Sequence, residues 1–461
     1  MVEGVDFSKV LKRALKRGGE FAELFLETTS TCSIICEDDR VERIVVGTDA
    51  GASLRVIFNQ KTSYGYCNAF SEQGLLEMAS SVSSAVGSGK RTSDVYLPAK
   101  PSSSGLAVRS LPEGISMSRK VSMVERANRR ARARDQRVRQ VKVVYRDYNQ
   151  HVTVANSEGT LVEDTRIGTL FFVHVVSVQD GITQTGYEPV GGTIGFELFD
   201  TYSPETAADI ATNRSLLMLV ARESPMGKMP VILSSEAGGT MIHEAIGHGL
   251  EADLVQQGLS VYAGRTGEHV ASPLITVVDD STLPQKRGSY CFDDEGIPSQ
   301  RTILVDKGIL KGFLFDRLTA RKEEVQSTGN GRRESYRYKP IPRMTNTFIA
   351  PGSFDPEEII RSTHKGLFVK KMGGGQVDTV NGNFVFEVSE GYLISHGTVG
   401  EPVRGATLTG NGPEVLKQID MVGDDLGFTI GTCGKEGQGV PVASGQPTLR
   451  IPEIVVGGRS E

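Results

Sequence analysis

One short segment of the sequence places two histidines and a glutamate close enough together to hold and use a metal ion. Residues 241–253 read MIHEAIGHGLEAD and include His243, Glu244 and His248. Imidazole nitrogens are common zinc ligands, and an adjacent glutamate can serve as a general base toward water. In the usual His-Glu-x-x-His pattern the histidines are four positions apart, whereas here they are five apart. The segment therefore predicts a zinc site with an unusual backbone.

The spacing of the two histidines also predicts the form of their helix. Successive residues of an α-helix are rotated by about 100°, so positions i and i+5 lie about 140° apart. His243 and His248 converge only if the helix widens into a π-bulge, or if His248 lies beyond its regular end. Gly247 and Gly249 flank His248, and glycine tolerates irregular backbone at the least steric cost. A histidine pair with purely structural roles is the alternative interpretation.

A catalytic zinc with two imidazole ligands needs a third protein ligand and keeps its fourth position for water. The candidates are Glu251, Asp253 and, far along the chain, Cys433. We favour Cys433, because it lies between Gly431 and Gly434 in a predicted turn and a thiolate is a good soft ligand for zinc. A cysteine buried as a small apolar side chain is the alternative. Glu251 and Asp253 are either exposed acids or groups that orient a ligand histidine.

The N-terminal half is predicted to alternate between helices and antiparallel strands. Apolar periodicity indicates the helices, and β-branched runs broken by turn residues indicate the strands. The predicted elements are a helix at 6–17, strands over 22–70 broken at 37–40, 47–51 and 59–62, a helix at 71–86, a basic helix at 119–136, a meander over 141–189, and a helix at 203–222 capped by Ser203.

From residue 230 onward the sequence is rich in strands and glycine and has few helices. One helix carries the histidines, and another is predicted to start at Asp355 and Pro356 and to stop at Gly366. The fold class is therefore α+β, with a mixed α/β N-terminal half and a β-rich, mostly antiparallel C-terminal half. Segments rich in Pro, Ser and Gly suggest three domains. The three predicted domains are residues 1–95, 96–225 and 226–461.

Composition is typical of a globular protein that works outside membranes and without disulfides. Of the 461 residues, 38% are hydrophobic and 23% are charged. The five cysteines are scattered, and neither a signal-peptide segment nor a run of about 18 apolar residues occurs. A cytoplasmic location is expected. The net charge of −5 argues against a dedicated nucleic-acid binder.

Four motifs in order carry a resemblance to a known family. They are HEAIGHGLEAD, FDDEGIPSQRTILVDKGILKGFLFDR, STGNGRRESYRYKPIPRMTNTFI and GTCGKEGQGVPVASGQPTLRI. Together they resemble the TldD/PmbA family, also called the modulator of DNA gyrase family, on its TldD branch. The resemblance covers most of the chain and is densest from residue 230 to the end.

The resemblance implies a zinc metallopeptidase that acts on unfolded or unstructured peptides. It further implies that His243, His248 and Cys433 bind zinc and that Glu244 is the catalytic base. Related or identical subunits are expected to form a dimer, with a PmbA-like chain, which lacks the metal motif, as the other possible partner. We expect extended peptides to be held by main-chain pairing to a strand edge.

Two other functions are compatible with the sequence. A non-catalytic binding subunit could keep zinc for structure, although a structural zinc normally has a fourth protein ligand and none is evident. Residues 119–142 contain ten Lys and Arg residues and only two acids. Such a basic segment could bind nucleic acid or associate with gyrase. Val124, Ala127 and Ala131 form an apolar stripe on this helix, which favours a packed helix with a solvated basic face.

The remaining candidate groups are interpreted as structural. His174 lies in a strand pattern, and His364 is expected in the last turn of its helix. Cys32 and Cys36 would share one strand face, where a second metal site is the less favoured interpretation. The sequence KMGGGQV is predicted as a glycine turn that enters a hairpin near the cleft. The adjacent aspartates of FDDEG are expected to point in different directions.

Overall fold

A computed structural model describes residues 4–68, 70–86 and 94–458. Part of the expected first domain boundary, residues 87–93, lies outside this range. Up to residue 220 the chain forms helices and long antiparallel strands, as the sequence predicts. The elements of this half are α1 (Phe7–Leu15), β1 (Phe21–Glu37), β2 (Arg40–Phe58), β3 (Lys61–Cys67), α2 (Glu72–Ser84), β4 (Ser102–Gly105), α3 (Met117–Ala133), β5 (Val138–Asn156), β6 (Leu161–Gln179), β7 (Ile182–Gly192), α4 (Leu198–Thr201) and α5 (Pro204–Val220).

The strands of this half form one seven-stranded sheet with the order β3-β2-β1-β5-β6-β4, and β7 pairs with β6. Strands on both sides of the expected boundary near residue 95 belong to this sheet. The predicted strand break at 47–51 is wrong, since β2 runs through it in register with β1. Gly47, Asp49 and Gly51 favour turns, but in β2 they pair with residues of β1. This strand pairing outweighs their local preference.

Helices α3 and α5 pack on the sheet through the predicted apolar stripe. Val124 and Ala127 of α3 are fully buried. The basic face of α3 is partly neutralised by α5. Arg126 lies 2.7 Å from Glu205, and Arg130 lies 2.8 Å from Asp209.

The C-terminal half is mostly antiparallel and strand-rich, which confirms the predicted α+β class. An eight-stranded sheet has the order β16-β9-β23-β19-β17-β18-β8, with β20 on β23, and a six-stranded sheet has the order β12-β11-β10-β15-β22-β21. The elements are β8 (Arg222–Glu223), β9 (Gly227–Leu233), α6 (Thr240–Ile242), α7 (Ala252–Gln256), β10 (Val277–Asp280), β11 (Arg301–Asp306), β12 (Ile309–Leu310), α8 (Arg317–Lys322), β13 (Gly331–Arg332), β14 (Ile341–Pro342), β15 (Asn346–Ile349), α9 (Pro356–Arg361), β16 (Lys365–Val377), β17 (Asn383–Ser395), β18 (Thr398–Arg404), β19 (Thr407–Asn411), α10 (Gly412–Gln418), β20 (Met421–Val422), β21 (Gly427–Lys435), β22 (Gln438–Gln446) and β23 (Leu449–Gly457).

Helix α9 is shorter than expected. Asp355 caps it as predicted by accepting from the backbone N–H groups of Glu357 and Glu358, but it ends at Arg361. Gly366 belongs to β16, where it pairs with Ile394. The helix stops early because the chain from Lys365 onward pairs with β17. The sequence around the helix does not reveal this long-range pairing.

Buried ion pairs hold the two halves together. Arg55 of β2 lies 3.0 Å from Glu23 of β1 and 2.5 Å from Glu295 in the other half, and Arg333 lies 2.7 Å from Glu23. All of these side chains are almost completely buried. Breaking one such pair is strongly destabilising because it leaves an uncompensated buried charge. These pairs favour a fixed relative position of the halves.

Within the described part of the chain, none of the helices has the length and apolar character needed to cross a membrane.

Candidate metal centre

The helix that carries the histidines is irregular in the way its spacing predicts. After α6 the backbone widens into a π-helix at His243–Gly247 and then tightens into a 3-10 turn at His248–Leu250. The backbone N–H of His248 donates to the carbonyl of His243, which is an i to i+5 bond. The two imidazole rings consequently lie 5.0 Å apart between centroids, at 85° to each other. The extra residue between the histidines is absorbed by the wide turn.

The glycines beside His248 have a different role from the expected one. Gly247 has φ −55° and ψ −55°, which are ordinary helical angles. A Cβ on Gly247 would lie 2.2 Å from Sδ of Met344, and one on Gly249 would lie 2.8 Å from the ring of Tyr262. Close packing, not backbone freedom, therefore requires these glycines.

The glycines that use their backbone freedom lie at the start of the segment. Gly238 and Gly239 have φ of +84° and +64°, in the left-handed region that glycine favours. They turn the chain from β9 into the helix. Our sequence reasoning missed them, although the GG pair is a turn signal.

Cys433 approaches the histidines from a strand, not from the turn expected for it. It lies in β21 opposite Val440 of β22, and the hairpin turn follows at residues 436–437. Its Sγ is 3.4 Å from Nε2 of His248. One ligand atom from each of His243, His248 and Cys433 lies within 4.8 Å of the others. Within the described ranges no other group of three His, Cys, Asp or Glu side chains comes together in this way.

Ionised groups on both sides of His248 prepare the site for a cation. Burial raises the pKa of the Cys433 thiol, but hydrogen bonds with His243 and His248 outweigh it and lower the pKa to about 5. Burial likewise raises the pKa of Glu251, while Lys435 and His248 lower it to about 2. A thiolate and two imidazoles form a donor set that suits zinc. The residues present therefore fit a zinc ion.

Each histidine is oriented through its Nδ1 atom. Nδ1–H of His248 donates to Oε2 of the fully buried Glu251 at 3.0 Å, and Nδ1 of His243 shares a hydrogen bond with Oγ of Ser444 at 3.1 Å. These contacts leave the Nε2 atoms for the metal, since a metal-bound histidine commonly anchors its other nitrogen. Asp253, the alternative to Glu251, binds Lys435 instead at 2.7 Å. The contribution of Ser444 has no local sequence signal.

Replacing Glu251 with glutamine is expected to weaken zinc binding by about 10–100-fold, the usual effect of losing the partner of a ligand histidine. The change keeps the side-chain volume but removes the charge that fixes Nδ1–H of His248. Competition with a chromogenic chelator measures the affinity. Asp253→Asn is the matched control, because Asp253 reaches Lys435 but not the histidine. Equal losses in both variants would contradict the orienting role of Glu251.

The metal centre opens into a cleft of about 470 Å³ between β7 and the C-terminal sheets. Glu244, which directly follows His243, lines this cleft. In the described part of the chain, its carboxylate has no hydrogen-bond or salt-bridge partner and so faces the cleft uncommitted. The other lining residues are Thr185, Tyr187, Pro189, Arg214, Thr240, His243, Lys371, Met372, Gly373, Gly374, Glu387, Ser389, Thr429, Ile430, Gly431, Thr432, Cys433, Gly434, Val442 and Ser444.

Comparison with known proteins shows the family of the chain. Family models described as PmbA/TldA metallopeptidase domain 1, central domain and C-terminal domain match residues 22–86, 110–219 and 226–458. The chain belongs to the PmbA/TldD metallopeptidase family. It is 37% identical over 452 residues to the metalloprotease TldD homolog of Haemophilus influenzae, with 96% of this chain and 94% of that relative covered.

Two further PmbA/TldD family comparisons extend over almost the whole chain. The metalloprotease TldD homolog of Buchnera aphidicola from Acyrthosiphon pisum is 37% identical over 465 residues, covering 98% of this chain and 96% of the relative. The crystal structure of a proposed modulator of a DNA gyrase from Thermotoga maritima superposes with a TM-score of 0.79 at 23% identity, covering 95% and 96% of the two chains. This second similarity shows the shared fold.

The structure brings all four predicted site residues of this metallopeptidase into one place. His243, His248 and Cys433 converge, and Glu244 lies beside them; their roles as ligands and base stay predictions. Cys32 and Cys36 are buried in the hydrophobic core under α3.

Two smaller interpretations change, and a third is confirmed. His364 lies beyond α9, and its ring is 4.6 Å from that of His396. The KMGGGQV segment is part of β16, not a turn, although it does enter a hairpin beside the cleft. Asp293 of FDDEG accepts backbone N–H groups and Asp294 binds Arg166, so the two carboxylates serve separate networks.

Proposed function

We propose that this protein is a zinc-dependent peptidase that hydrolyses peptide bonds in unfolded or unstructured peptides, with Glu244 activating water. One observation carries the proposal: three side chains that could hold a metal ion share an open cleft with the Glu244 carboxylate, which has no partner among the described residues. A structural zinc would need a fourth protein ligand. Among the described residues, no fourth His, Cys, Asp or Glu joins the three donors.

The residues divide the chemistry between them. His243, His248 and Cys433 would hold a zinc ion, which would supply Lewis-acid chemistry toward the scissile carbonyl and would lower the pKa of a bound water toward about 7. Glu244 accepts a proton from the attacking water and donates it to the leaving amine. Glu251 keeps the proton of His248 on Nδ1, so that Nε2 remains a donor to the metal.

The cleft wall suits an extended peptide backbone. Among the described strands, β21 is an edge strand that pairs only with β22, and residues 429–434 line the cleft. An edge strand can offer N–H and C=O groups to another chain. In β21 the carbonyls of Gly431 and Cys433 already accept from Arg287 and Arg343, so a substrate would pair with the remaining backbone groups. Such pairing needs little side-chain selectivity, and a folded protein cannot offer its backbone in this way.

The substrate class is tested with one protein in two states. A disulfide-bonded globular substrate is offered natively and after reduction and alkylation, and the cleavage products are followed by mass spectrometry. We expect rapid cleavage of the unfolded form and little cleavage of the native form. Equal rates for the two forms would contradict recognition of an open backbone.

We further propose that the subunits associate through the free edge of β2. In the described part of the chain, residues 40–51 of β2 pair only with β1, because β3 pairs with residues 52–58. Ile44, Val45 and Val46 are exposed on this edge by 45%, 46% and 64%. A long apolar edge strand of this kind is a template for pairing with another chain, and we assign it to a second copy of this fold.

Val46→Glu is expected to weaken self-association at least about tenfold, because a carboxylate would have to lose water at the contact. Sedimentation velocity over a concentration series measures the dissociation constant. Val220→Glu is the control, since Val220 has the same 64% exposure at the end of α5. A monomeric wild-type chain, or equal weakening by both substitutions, would contradict the assignment.

A further inference from the structure

A lysine lines the proposed catalytic cleft without a counter-ion of its own. Lys371 lies on β16 and is partly buried among the cleft residues. Within the ranges that the structure describes, its ammonium group makes no hydrogen bond or salt bridge. The lysine before it behaves differently, since Nζ of Lys370 lies 3.4 Å from Oε1 of Glu390. Of these two successive lysines, Lys370 has an ion-pair partner, and Lys371 has none among the described residues.

The carboxylates near Lys371 are mostly committed elsewhere. Glu188 lies 3.1 Å and Glu390 lies 2.8 Å from the guanidinium of Arg214. The charge of Glu236 attracts the Lys371 ammonium and raises its pKa, but Glu236 is exposed and forms no ion pair with Lys371 in the described part of the chain. Burial lowers the pKa of the Lys371 ammonium. An ammonium taken out of water without a partner costs free energy, and a carboxylate entering the cleft would offset that cost.

The strand beside Lys371 leaves room for such a ligand. The register between β16 and β17 passes from Met372 opposite Val388 to Gly375 opposite Phe386, so Gly373 and Gly374 together face one residue of β17. This is the arrangement of a β-bulge, which disrupts the ladder locally. Both glycines line the cleft, and a Cβ on Gly374 would meet open space. A substrate can therefore approach the backbone next to the lysine.

We propose that Lys371 is a specificity residue that binds a carboxylate of the peptide substrate in this cleft. The carboxylate comes from an acidic side chain near the scissile bond or from a free C-terminus of the peptide. The inference rests on the proposed peptidase function and adds the chemical class of substrate. Because hydrogen bonds between ionised groups are the strong ones, a peptide with the carboxylate is expected to have a kcat/KM about tenfold above its neutral counterpart.

The test uses four unstructured peptides of one sequence on the zinc-loaded full chain. They combine Glu or Gln at one position beside the cleavage site with a free or an amidated C-terminus. Lys371→Met should abolish the tenfold preference while neutral peptides are still cleaved. Lys371→Arg retains the positive charge and should keep most of the preference. Lys370→Met is the matched control and should keep the preference. Lys371→Met should remove the higher kcat/KM that is due to either the Glu side chain or the free C-terminus. The group whose effect disappears is the carboxylate that Lys371 binds.

A binding experiment separates this inference from the proposed function. Fluorescence anisotropy measures the same peptides on the Glu244→Gln chain, with and without Lys371→Met. Carboxylate-dependent binding that vanishes with Lys371 supports the inference even if no peptide is cleaved, an outcome that would count only against hydrolysis. The inference is overturned if the wild-type chain shows no carboxylate preference. It is also overturned if Lys371→Met keeps the carboxylate preference in both cleavage and binding.

Discussion

The Glu244→Gln variant is expected to lower kcat for peptide hydrolysis by about 10²–10⁴-fold, the usual contribution of a general base. Glutamine has the same shape but cannot accept the proton of the attacking water. Since Glu244 is not one of the three converging donors, zinc content and thermal stability should not change. Steady-state cleavage of a fluorogenic unstructured peptide gives kcat. Elemental mass spectrometry gives the zinc content of the same samples.

Glu387→Gln is the matched control for this substitution. Glu387 is an exposed carboxylate that lines the same cleft from β17, so the control removes an equal charge from the same space. We expect its kcat to stay within about threefold of wild type, because a solvated carboxylate away from the reacting atoms contributes little. Comparable losses in both variants would indicate a general effect of cleft charge and would contradict a base role for Glu244.

The Cys433→Ala variant is expected to lose zinc and all zinc-dependent activity. Removing a ligand should weaken binding by more than the 10–100-fold caused by losing a histidine's hydrogen-bond partner. Zinc at 100 times its dissociation constant stabilises a folded protein by about 2.7 kcal/mol. The rise in melting temperature on zinc addition should therefore disappear in the variant, as differential scanning fluorimetry can show.

Cys291→Ala controls for the loss of a thiol, since Cys291 is a free cysteine outside the donor cluster. It should keep both zinc binding and the zinc-dependent rise in melting temperature. A Cys433→Ala chain that still binds one zinc at wild-type affinity would contradict ligation by Cys433. Such a result would return the choice of third ligand to Glu251 or Asp253.

Much of the site can be predicted from the sequence because its chemistry depends on residue types. The five-position spacing of His243 and His248 predicted either a widened helix or a His248 beyond the regular end of the helix. The π-helix with its i to i+5 bond confirms the first alternative. The helices and the β5–β6–β7 meander follow from apolar periodicity and turn residues. The basic helix likewise packs through its predicted apolar stripe.

The wrong predictions share one physical cause, which is pairing or packing between distant residues. Gly434 suggests a turn, yet Cys433 lies in a strand because β22 supplies a full ladder for β21. Gly247 suggests a need for backbone freedom, yet it is required because Met344, almost a hundred residues away, packs against it. Gly366 and the glycines of KMGGGQV likewise belong to strands through pairing with β17. Local sequence carries no record of these partners.

The most direct test of the account is metal removal and restoration on the full chain. The protein is stripped with a chelator, dialysed, and assayed on an unstructured peptide before and after one equivalent of zinc is added. We expect cleavage to stop on stripping, to return with zinc in the wild-type chain, and not to return in the Cys433→Ala chain. Cleavage that persists in the stripped protein, or a zinc-bound wild-type chain that cleaves nothing even with a PmbA-like subunit present, would contradict the proposed peptidase centre.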